Sequence, residues 1–120
     1  MLIALHHVQL AMPKGAEDRA WAFYGELLEL AEVPKPAELS KRGGLWFETG
    51  NIRVHLGVED PFQPAKKAHP AFQVAGLEAL FATLDAAGVP LTRDTALPGY
   101  NRFYAEDPFG NRIEFLEPVA

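Results

Sequence analysis

Two histidines and a glutamate carry the most pointed chemistry in this sequence. His7 and His69 stand 62 positions apart in a chain of 120 residues, and Glu114 lies close to its end. Imidazole and carboxylate are the donors that borderline divalent metals such as Zn, Ni, Mn, Fe and Co accept, and two histidines plus one carboxylate with open positions is a recurrent catalytic arrangement. No local spacing of the His-Glu-x-x-His kind supports the set. A lone histidine or glutamate on a strand is ordinarily a surface or hydrogen-bonded structural residue. The case therefore rests on whether the three occupy equivalent, inward positions.

The elements that must position them read as two halves of one pattern. Around His7, the residues Val8, Leu10 and Met12 fall on one side of a strand, and Leu5, His7 and Gln9 on the other. His6 then faces the apolar side, as a buried, hydrogen-bonded residue. The spacing of Ala20, Phe23, Tyr24, Leu27 and Leu28 predicts an amphipathic helix over 16–30, with Trp21 and Phe23 in core packing. Pro34 and Pro36 mark irregular or edge-strand backbone, and strands follow over 45–49 and 52–57, turned by Gly50-Asn51. After a connector over 59–68, His69 opens a strand whose packed face is Pro70, Phe72 and Val74. A helix with Leu77, Leu80, Phe81 and Leu84 comes next and stops at Gly88. Extended segments around 91–96 and 101–105 lead into Asp107-Pro-Phe-Gly-Asn111, which is dense turn chemistry, and then Ile113 and Phe115 alternate with Arg112 and Glu114. Each half is strand, helix and about three strands, so an internal repeat is the economical reading. One helix covers one sheet face in each half, and the other faces, with His7, His69 and Glu114, line a concave surface.

Composition bounds the alternatives. The sequence is 48% hydrophobic and 22% charged, as in one globular domain of common size. Net charge is −5 and the cations are scattered, so neither nucleic acid nor an anionic membrane surface is an expected partner. With no cysteine there is no disulfide framework, thiolate site or cysteine nucleophile. The apolar start, Met1 to Leu5, is too short for a signal peptide, and no run reaches transmembrane length, so the expected location is the cytoplasm.

The His-Val-x-Leu opening, the helix with Phe23-Tyr24, the second histidine with its Ala-Phe-Gln-Val strand, and Asp-Pro-Phe-Gly-Asn-Arg-Ile-Glu-Phe resemble the vicinal oxygen chelate superfamily over essentially the whole chain. That superfamily includes glyoxalases, fosfomycin-resistance thiol transferases, extradiol dioxygenases and bleomycin-resistance proteins. The resemblance implies an α+β fold of two tandem βαβββ modules, about 1–58 and 69–120, within a single domain, and a cavity commonly completed in a homodimer. It also implies divalent-metal ligands at His7, His69 and Glu114, with the site within one chain or shared between subunits. Glyoxalase I has a glutamate at a fourth position where strand parity places His55 here, as a further ligand or a general base. The missing glutamate argues against true lactoylglutathione lyase activity, and the short tail after Glu114 argues against fosfomycin. Trp46, Glu48, Arg53, Arg102 and Tyr104 are candidate substrate-pocket residues, with Arg53 able to steer an anion. The expected function is a metal-dependent lyase or isomerase in which the ion chelates neighbouring oxygens of a small substrate and stabilises an oxyanion or enediolate, with Glu114 and His55 in the catalytic set. The alternatives are a non-catalytic drug-sequestering protein of bleomycin-resistance type and an extradiol-type dioxygenase.

Overall fold

The computed structural model describes Met1–Ala120 as two compact units, Met1–Pro64 and Ala65–Ala120. The first unit runs β1 (Val8–Met12), α1 (Glu17–Ala20) continued by a π-helical stretch (Trp21–Leu27), β2 (Glu32–Val33), α2 (Ala37–Ser40), β3 (Leu45–Thr49) and β4 (Ile52–Val58). The second runs β5 (Ala71–Gln73), α3 (Leu77–Ala86), β6 (Leu91–Asp94), β7 (Tyr100–Glu106) and β8 (Arg112–Pro118). Each makes a four-stranded sheet, ordered β1-β4-β3-β2 and β5-β8-β7-β6, with one parallel pair and two antiparallel pairs. This is the tandem βαβββ architecture expected from the sequence.

Period-2 alternation sets the faces. In the first unit Leu10, Met12, Phe47, Val54 and Leu56 are buried together with Ala20, Phe23 and Tyr24 of the helical segment. In the second, Phe103, Ala105, Ile113 and Phe115 are buried with Leu77 and Leu84 of α3. Rings supply much of the second core: Phe103 lies 5.4 Å from Phe115 and 5.1 Å, edge to face, from Phe81. Gly44 starts β3 where nothing larger fits, because a Cβ there would sit 2.1 Å from the Leu56 carbonyl oxygen and φ is +84°.

Two expectations change, and one element was not foreseen. Trp21 is 45% exposed rather than packed, since one residue on from Ala20 it stands roughly 100° round the helix, to the side of the buried Ala20, Phe23 and Tyr24. From Trp21 onward the helix widens to i→i+5 bonding, as in Leu28 N–H to Phe23 O at 3.0 Å. Ala37–Ser40, for which the sequence carried no expectation, forms the short helix α2 just after Pro36. His6 is exposed rather than buried: β1 starts only at Val8, so alternation does not bind His6, and its ring stands against His7 with the two Nδ1 atoms 3.0 Å apart.

Candidate functional site

Strand register makes the two units equivalent at their polar faces. In the first, His55 on β4 lies between Gln9 of β1 and Trp46 of β3. In the second, Glu114 on β8 lies between Ala71 of β5 and Tyr104 of β7. His7 precedes Gln9 by two residues as His69 precedes Ala71. His55 thus holds the lattice position of Glu114, as the parity alignment has it.

In the second unit His69 and Glu114 meet. His69 Nε2 is 2.9 Å from Glu114 Oε1, and His69 Nδ1 donates to the Lys67 carbonyl oxygen at 2.8 Å. Both ring nitrogens therefore face oxygen acceptors. A neutral imidazole has one N–H, so the Nε2 side requires a second proton or another cation. An imidazole that gives its Nδ1 hydrogen to a carbonyl and aims Nε2 at a carboxylate-lined position is also the usual preparation of a metal ligand. Glu114 is only 5% exposed, and its Oε2 accepts from Arg102 Nη1 at 3.3 Å. Arg102 Nη2 in turn lies 3.2 Å from Asp94, while its Nε is buried without a hydrogen-bond partner. The Ala96 N–H first, and Arg102 with it, hold the Asp94 carboxyl below the usual carboxylate range. Tyr104 stands edge-on to His69 at 5.4 Å and carries Arg112 over its ring at 4.4 Å. Beside it a cavity of about 380 Å³ is lined by Lys66, Tyr104, Glu106 and Arg112.

The first unit holds a larger cavity, about 870 Å³, and one of its walls is a stack of rings. Trp46 lies parallel to His55 with centroids 4.1 Å apart, and His55 stacks on His7 at 4.2 Å. Arg53 Nε is 3.4 Å from Glu48, and Arg53 Nη1 donates to the His6 carbonyl oxygen at 3.2 Å. Gln9 lies along the same face because residue 57 is glycine: a Cβ there would be 2.5 Å from the Gln9 amide nitrogen. Burial first, then the His7, His6 and Lys35 charges, holds the His55 imidazole below its ordinary 6.5, with Glu48 opposing. His55 is then neutral at pH 7 and able to accept a proton. A depressed histidine contributes stability that is complete above the unfolded value near 6.5 and is lost as pH falls through that value toward the folded one. In metal-free protein the His55 ring protons should titrate by NMR with a midpoint below 6.5; a midpoint at or above it would remove this account of a neutral base.

The structure thus brings His69, Glu114, Arg102 and Tyr104 together in one unit, and His7, His55, Trp46, Glu48 and Arg53 in the other. No group of three or more His, Asp or Glu side chains is gathered as a metal site. The His69–Glu114 pair fits two positions of a His and carboxylate donor set. Four further residues at these places escaped the sequence reading: Lys35, Arg42, Asp94 and Arg112. Gln9 was placed on the right face without a role, although Gly57 inside a strand pattern signals a close approach.

A family model described as the Glyoxalase/Bleomycin resistance protein/Dioxygenase superfamily matches residues 4–115. Among solved structures, a glyoxalase family protein from Bacillus anthracis is 50% identical with a TM-score of 0.95, over 99% of this chain and 98% of that one. The fosfomycin resistance protein FosX from Listeria monocytogenes shares the fold at 17% identity and a TM-score of 0.79, covering 99% and 96% of the two chains. Lactoylglutathione lyase from Agrobacterium tumefaciens does so at 22% identity and 0.72, covering 95% and 92%. No match is found among curated proteins.

Proposed function

The chain belongs to the glyoxalase/bleomycin resistance protein/dioxygenase superfamily, and from that premise we propose that it is a metal-dependent enzyme of glyoxalase type acting on a small substrate with two neighbouring oxygens. His69 and Glu114 are two of the metal ligands, with His7 as a further imidazole donor. The bound ion would supply Lewis acidity toward the substrate oxygens. His55, neutral at pH 7, moves the substrate proton, and Arg102 orients the Glu114 carboxylate through its Oε2. Isomerase or lyase chemistry is the reading, in a cytoplasmic homodimer.

One observation carries the proposal. His69 gives one ring nitrogen to the Lys67 carbonyl at 2.8 Å and aims the other at Glu114 at 2.9 Å, a contact that a metal ion can bridge in place of a second proton. Plasma mass spectrometry on protein purified without an affinity tag tests it. Near-stoichiometric divalent metal is the expected result, and it would direct substrate screening to vicinal dioxygen compounds with that ion. Protein that holds no metal and takes up none from excess Zn, Ni, Mn, Fe or Co would overturn the reading in favour of a sequestering protein, for which the ring-walled cavity of the first unit is suited.

A further inference from the structure

The larger cavity carries an electrostatic feature that the ring stack does not explain. The chain is acidic overall, at −5, yet three cationic side chains, Lys35, Arg42 and Arg53, line this cavity against the single carboxylate of Glu48. Glu48 is already taken, since it lies 3.4 Å from Arg53. Arg53, the cation that the sequence suggested as an anion guide, is therefore neutralised where it stands. Lys35 and Arg42 differ from it. Neither is ion-paired with a carboxylate, and the Lys35 ammonium donates to the Gly43 carbonyl oxygen, which fixes its position and leaves its charge in place. Glu17, whose carboxylate reaches the adjoining Gly43-Gly44 turn, accepts from the Gly44 N–H at 2.8 Å and does not line the cavity. Lys35 is half-buried, and its charge reaches His55, whose protonation it disfavours.

An unpaired ammonium held in place on the wall of a cavity, with an unpaired guanidinium lining the same cavity, has the donors and charge that an oxyanion requires. The stacked Trp46, His55 and His7 rings give the rest of the wall an aromatic lining, against which the carbon body carrying such an anion can rest. We propose that the first-unit cavity binds an organic oxyanion, a carboxylate or phosphonate on a small molecule with an apolar or aromatic body, with Lys35 and Arg42 as its anchors. The proposal names the substrate class for the function argued above, and it rests on that reading only for the chemistry, since anion binding here needs no metal.

The test uses metal-free full-length protein and calorimetric titration with three matched probes: benzoate, its neutral isostere benzamide, and phenylphosphonate. Benzoate or phenylphosphonate should bind at least about tenfold tighter than benzamide, the scale of one charge-assisted hydrogen bond. Binding should weaken with added salt, and Lys35→Met and Arg42→Met should each remove most of the difference. Both side chains reach solvent, so the variants should fold, which circular dichroism checks. Whichever anion binds tighter upholds the site and identifies the oxyanion it prefers. Equal binding of benzoate, phenylphosphonate and benzamide, or an anion preference that survives both substitutions, overturns the proposal. Since no metal is present, that failure would leave the metal analysis of the preceding section standing.

Discussion

Exchanging Glu114 for alanine is expected to lower divalent-metal affinity by more than the roughly 10–100-fold typical of losing an outer partner of a ligand, and to take activity with it. His69→Ala should do the same. The two residues face each other across 2.9 Å, and each is fixed from behind: His69 by the Lys67 carbonyl, Glu114 by Arg102. Removing either leaves one donor where the arrangement has two. Glu114→Gln separates charge from shape, because the amide keeps one oxygen acceptor but not the negative charge that offsets a dication, so it should resemble the alanine variant. Arg102→Met keeps every proposed ligand and only frees the carboxylate to rotate, so its loss should stay within the outer-partner range. Chelator competition on each purified variant gives these affinities. Undiminished metal binding in Glu114→Ala would show that the ion, if bound, is held elsewhere.

Asp107→Ala is expected to destabilise the fold by about 3–5 kcal/mol, the largest effect on stability we foresee for a polar residue. The Asp107 carboxylate is buried and accepts from the backbone N–H groups of Phe109 and Asn111 at 2.9 Å each and from the Asn111 amide at 3.0 Å. Asn111, with no exposed surface, passes the connection on by accepting from the Ala65 N–H at 2.9 Å, and the Ala65 carbonyl accepts from Arg112. Truncation strands these donors in a buried turn at about 1–3 kcal/mol apiece, and because they share one acceptor the losses do not simply add. Urea unfolding should show a lower midpoint with an unchanged slope. A shift worth less than about 1 kcal/mol on that scale would mean that water replaces the carboxylate at little cost.

That turn was legible as a turn, because Asp, Pro, Gly and Asn each favour it for a local reason. Its role in tying Ala65 to β8 was not, because a hydrogen bond spanning 46 positions leaves no local pattern. Strand faces were legible wherever alternation continued: Ile113 and Phe115 inward, Glu114 on the other face. The meeting of His69 with Glu114 followed from reading the chain as a repeat, since the Ala71–Glu114 pairing joins distant segments. His6 was misplaced because it stands before its strand begins, and Trp21 because it lies to the side of the buried Ala20, Phe23 and Tyr24 stripe. Lys35 and Arg42 gave no sign, because each flanks the short helix α2, where side-chain direction follows from loop conformation and has no period.

The two glycines that press against neighbouring strands differ in what they leave to variation. At Gly44 an added methyl would meet the Leu56 carbonyl, and a main-chain atom in a sheet has nowhere to go. At Gly57 it would meet only the tip of the Gln9 side chain, which can swing aside. Position 44 can therefore only be purged of change by selection, whereas a single small side chain at position 57 would redirect Gln9 and reshape the cavity floor. A lineage, or an engineer, seeking a new ligand for this scaffold has its least disruptive first step there.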